Sequence, residues 1–86
     1  MNVIRTGDFE KMLGRLPEKV ASLCEVQIAR FAENRRDPRL HVKRLIELDG
    51  IFSFRIMRAY RALFYFDAAG NIVLFAVGNR KEIYRR

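Results

Sequence analysis

The chain has 86 residues, half of them apolar, with seven Phe and three Tyr, and 17 Lys/Arg against 10 Asp/Glu give a net charge of +7. That size predicts a single domain, residues 1–86, with one core and modest stability. No apolar run approaches the roughly 20 residues of a membrane helix, and the lone Cys24 excludes an internal disulfide.

Cys24 has no Cys or nearby His at metal-ligand spacing, so it is expected to be a small buried apolar residue in a reducing, cytoplasmic setting. Residues Met1–Thr6 show no signal-peptide pattern. The charge is uneven: residues 1–50 hold ten Lys/Arg and eight Asp/Glu, residues 51–86 seven and two. The basic excess lies in the strand-like half and predicts a face that meets a polyanion, nucleic acid or an acidic protein. The plainer alternative is solubility.

In chain order, Asn2 to Arg5 suits a short strand. Asp8 is expected to cap a helix through Phe9, Met12, Leu13 and Leu16, spaced by three and four. Pro17 suits the first turn of a second helix, with Glu18 favourable at its positive end. Val20, Leu23, Cys24, Gln27, Ile28 and Phe31 trace its mostly apolar stripe. Residues 33–39 are a polar loop. His41 to Leu48 is expected to be extended, and Asp49-Gly50 is a strong turn signal.

Ile51 to Met57 alternates, with Phe52, Phe54 and Ile56 on one face and Ser53, Arg55 and Met57 on the other. Arg58-Ala59 is a short connection to the β-prone run Tyr60–Phe66. Asp67–Gly70 is a turn, and Asn71–Val77 reads as a central strand covered on both faces and stopping at Gly78. The sum is an α+β fold, two N-terminal helices packed on a small antiparallel sheet in the order β-α-α-β-β-β. Most of the Phe residues are expected in the core. Arg55, Arg61 and Arg80 are expected to converge on the opposite, concave face, with Tyr84 close by. Solvated arginines are common on such faces, which is the competing explanation of each one alone.

Three segments carry a family resemblance: Phe54-Arg55-Ile56, then Tyr60-Arg61-Ala62-Leu63-Phe64-Tyr65, then Val77-Gly78-Asn79-Arg80-Lys81-Glu82-Ile83-Tyr84-Arg85. With Leu16–Val20 at the helix junction and His41–Leu45 before the strands, the chain resembles the RelE/ParE superfamily of small bacterial toxins along nearly its whole length. The resemblance implies the toxin of a type II toxin–antitoxin system, neutralised by a cognate acidic antitoxin in a hetero-oligomer. Its RelE branch cuts mRNA on the ribosome, and its ParE branch poisons DNA gyrase. An inactive toxin that only binds its antitoxin is a further alternative. The strand arginine, the post-glycine arginine and the terminal tyrosine of the nucleases are matched by Arg61, Arg80 and Tyr84. Of two basic residues on the preceding strand, one is matched by Arg55, while Ser53 stands where the other falls. Asn79 replaces a histidine of many relatives.

The nuclease reading implies metal-independent attack by the RNA 2′-hydroxyl, with no cofactor. Arg61 and Arg80 are expected to stabilise the phosphoryl charge and Arg55 to hold the backbone. Tyr84 is expected to be a base or, somewhat better, a stacking ring, because a free phenol titrates near pH 10. Lys43, Arg44, Arg58, Lys81 and Arg85 are expected to touch RNA or ribosome phosphates. His41, the only histidine, is expected to be a partly exposed strand residue outside the mechanism.

Overall fold

The structure, a computed structural model, describes residues 2–83, so Tyr84 and Arg85 lie outside the described residues. The elements are β1 (Val3–Arg5), α1 (Gly7–Gly14), α2 (Glu18–Glu33), a 3₁₀ turn (Pro38–Leu40), β2 (Lys43–Arg44), β3 (Phe52–Met57), β4 (Tyr60–Phe66), β5 (Ile72–Asn79) and α3 (Arg80–Ile83). The strands form one sheet in the order β1-β5-β4-β3-β2. The meander β2–β5 is antiparallel, as expected, and β1 joins it parallel to β5, which makes the sheet mixed and β5 internal. No helix of the described residues is long and apolar enough to cross a membrane.

Four local expectations are corrected. The cap of α1 is Thr6 rather than Asp8: Thr6 is extended and its Oγ1 accepts from Phe9 N at 3.1 Å, while Asp8 sits in the first turn, where the helix dipole favours it. The segment expected to extend from His41 to Leu48 is extended only at Lys43–Arg44. His41 itself caps the 3₁₀ turn with left-handed backbone at φ 48°, a conformation that His tolerates better than bulkier residues do. The last strand does not stop at Gly78 but runs through it to Asn79. A methyl group on Gly78 would come within 3.1 Å of Ile83 Cγ2, so the missing side chain lets α3 fold back on the sheet.

One face of the sheet is sealed by α1 and α2. Phe9 and Leu13 of α1 and Val20, Cys24, Ile28 and Phe31 of α2 pack on Phe54, Phe64, Ile72, Leu74 and Val77. Phe31 meets the rings of Phe64 and Phe54 edge-on, at 4.8 and 5.6 Å. The unbroken apolar run of β5 has a geometric cause. Leu63 pairs with Ala76 and Phe64 with Leu74, so Phe75 is an extra residue, a bulge that shifts the alternation. Leu74 and Val77 thereby both reach the helix face, and Phe75 and Ala76 belong to a second cluster with Leu63 and Ile83.

A second irregularity lies in β3 between Arg55 and Met57. The two-residue turn Arg58-Ala59 has no positive φ, unlike the hairpin turns whose twist suits the strands. The bulge takes up the mismatch, and Gln27 of α2 secures it. Its Nε2 donates to the carbonyls of Arg55 at 2.6 Å and Arg39 at 3.0 Å, and its Oε1 accepts from Arg30 at 3.0 Å. The one polar residue in the α2 stripe is thus fully used.

Candidate nucleic-acid interface

The open face of the sheet follows from the register. Arg55 stands opposite Arg61, Arg61 opposite Gly78, and Ser53 between Lys43 and Leu63. Residues directly opposite across a ladder share a face. A cleft of about 420 Å³ opens there, lined by Lys43, Arg44, Arg61 and Arg80, with Ser53 among its lining and the loop Leu45–Leu48 as a wall. Hydrogen bonds from Leu45 N to Ile51 O (2.9 Å) and from Ile51 N to Leu48 O (3.1 Å) frame that loop, and Gly50 turns it at φ 76°. Ile46 is 99% exposed beside the four cations, an apolar surface next to a basic one.

The β3–β4 turn brings Arg61 and Arg80 together. Arg61 Nη1 donates to the carbonyls of Met57 (2.8 Å), Tyr60 (2.9 Å) and Arg58 (3.0 Å). The backbone N–H of Arg80 donates to Ala59 O of the same turn at 2.8 Å. Asn79 Oδ1 accepts from Lys81 N at 2.9 Å and so starts α3, which gives Asn79 a capping use. Arg61 thus serves the fold as well as the cleft, a double role invisible in the sequence.

The other expected residues are placed as follows. Arg55 is half-buried on the same face but does not line the cleft, and its Nε is buried with no hydrogen-bond partner among the described residues. Arg58 is exposed in the turn and Lys81 on α3, both outside the cleft. His41 is exposed and also outside it. Arg44 pairs with Asp49 at 3.1 Å. Lys43 and Arg80 make no ion pair among the described residues. Sequence reasoning missed Glu47, which lines the cleft, and the loop that carries it. The Asp49-Gly50 turn signal was the one hint that this segment bends.

Charge elsewhere is neutralised locally. Arg5 holds Glu25 with two bonds of 2.7 and 2.9 Å and Glu10 with one of 2.7 Å, tying β1 to both helices and keeping the Glu25 carboxyl below its usual range. The guanidinium of Arg39 brings Asp37 down to about 2. Burial, with the nearby Glu25 charge, pushes the Cys24 thiol up to about 12, so it is inert packing as expected.

No protein-family model matches the sequence, and no curated protein matches it. Solved structures do. The chain is similar to the RelB–RelE antitoxin–toxin complex of Methanococcus jannaschii, at 18% identity over 95% of each chain with a TM-score of 0.78. It is similar to the RelBE2 toxin–antitoxin complex of Mycobacterium tuberculosis, at 29% identity over 92% of this chain and 96% of that one, TM-score 0.63. A YoeB/ParE toxin of Agrobacterium tumefaciens matches at 12% identity over 93% and 99%, TM-score 0.75. The fold is therefore that of these RelE-like toxin structures, an α+β arrangement of helices on a five-stranded mixed sheet.

Proposed function

We propose that this protein is the toxin of a toxin–antitoxin pair and that its basic cleft binds mRNA on the ribosome and cuts it by 2′-hydroxyl attack. The observation that carries the reading is the meeting of Lys43, Arg44, Arg61 and Arg80 around one cleft, from two strands and a helix far apart in sequence. Four cations around a pocket of this size favour a phosphodiester, whose equatorial oxygens gain charge as the 2′-oxygen attacks. Arg80 and Arg61 would stabilise that charge. Arg55 would hold the backbone, and Arg58, Lys81 and Arg85 would add phosphate contacts around the rim. Tyr84 would stack on a base. The similar structures solved as toxin–antitoxin complexes support an antitoxin partner in a hetero-oligomer, and the basic surface here favours an acidic one.

The second reading is a gyrase poison, and Ser53 favours it, because the strand position expected to be basic is a 2% exposed hydroxyl. Expression in cells, with mapping of mRNA 5′ ends, separates the two. The expected outcome is growth arrest with new in-frame 5′ ends within translated codons, lost in Arg80→Ala. Arg80 is the better probe than Arg61, whose removal also disturbs the turn. Arrest with intact mRNA and broken DNA overturns the nuclease reading in favour of gyrase.

A further inference from the structure

Cutting RNA through its 2′-hydroxyl requires a group that accepts the O2′ proton and one that gives a proton to the departing O5′. The guanidiniums of this cleft do neither, since arginine stays protonated in proteins. Two other ionisable side chains line it, Glu47 and Lys43. Four other carboxylates are engaged by arginines, Asp49 by Arg44, Glu10 and Glu25 by Arg5, and Asp37 by Arg39, and none of the remaining ones lines this cleft except Glu47. Glu47 is in no ion pair among the described residues. Lys43 stands opposite Ser53, so its ammonium belongs to the row that the serine leaves without charge.

We infer that Glu47 is the general base and Lys43 the general acid of this cleft, an assignment that rests on the RNA-cutting reading above. The Glu47 carboxylate takes the proton of O2′. O2′ forms a bond to phosphorus while the bond from phosphorus to O5′ breaks, and the electron pair stays on O5′. Lys43 gives its proton to O5′. The products are a 2′,3′-cyclic phosphate and a 5′-hydroxyl, and both side chains regain their starting states by exchange with water. Arg61 and Arg80 hold the phosphoryl oxygens throughout. Tyr84 is left the stacking role. Glu47 sits on the loop framed by the Leu45–Ile51 and Ile51–Leu48 hydrogen bonds, so its distance to the cations is set by that frame.

The test uses the full chain with ribosomes programmed with a synthetic mRNA, read as single-turnover rate and end-group chemistry. Glu47→Gln and Lys43→Met are each expected to fold as the parent does and to cut at least about 100-fold more slowly. A substrate with sulfur in place of O5′ at the cut site needs no protonation of its leaving group. It is expected to restore Lys43→Met and leave Glu47→Gln slow, a pattern that a merely structural or phosphate-binding role does not produce. Parental cutting in Glu47→Gln, above all beside a dead Tyr84→Phe, overturns the base assignment and moves it to the phenol. Lys43→Met that stays slow on the sulfur substrate overturns the acid. A parent chain that cuts neither substrate overturns the RNA-cutting reading itself, and the pair with it.

Discussion

The two faces of this sheet are made by the same strands and are opposite in character. On the helix side Phe54, Phe64, Leu74 and Val77 are at most 1% exposed and form one cluster with both helices. On the other side Leu63, Ala76 and Ile83 form a smaller cluster beneath four-residue α3, and beside it opens a cleft with four cations. The contrast teaches where an 86-residue chain keeps its stability. With cohesion concentrated on one face, the other tolerates like charges side by side, which destabilise a fold and favour an anionic ligand.

Substitutions that break or sharpen this contrast differ widely in their expected effect on stability. Phe64→Ala removes the ring between Phe31 and Phe54 and should cost about 3–5 kcal/mol in denaturant unfolding. A cost below about 1 kcal/mol would show that the helix side is not the main core. Arg61→Ala bridges the two faces. Leaving three turn carbonyls without their donor should cost about 1.5–3 kcal/mol, with hydrogen-exchange protection lost first around Arg58–Arg61.

The Arg5–Glu25 pair comes next. The Glu25 pKa is lowered in the fold, so its contribution is full above the unfolded value near 4.5 and is lost as pH falls through the folded value. Because Glu25 is half exposed, that contribution should be about 1 kcal/mol or less. Acid titration of unfolding should therefore show a loss below about pH 4.5 in the parent that is absent in Glu25→Gln. Smallest is Arg80→Ala, expected within about 0.5 kcal/mol of the parent by thermal unfolding. Loss of cutting without loss of fold in that variant would separate the open face from the core most sharply.

The helix side was largely legible in the sequence. The stripe Val20, Cys24, Ile28, Phe31 and the alternation Phe52, Phe54, Ile56 both reported the buried side correctly, because burial imposes a period on each element. The open face was legible only in part. Arg61 and Arg80 were expected to meet and they do, but Arg55 stays outside the cleft while Lys43 and Glu47 enter it. A two-residue edge strand and an irregular loop have no period to read, so their side chains could not be assigned a face.

The sequence by itself determined the α+β order, the central strand and the basic excess of its second half, since propensity, periodicity and charge are local properties. Tertiary structure alone decided three things: that β1 pairs parallel to β5, that the β3–β4 turn draws Arg61 and Arg80 together through its carbonyls, and that Lys43 faces Ser53. Each depends on the register between segments distant along the chain. A bulge shifts that register by one residue, and one residue exchanges the faces of a strand.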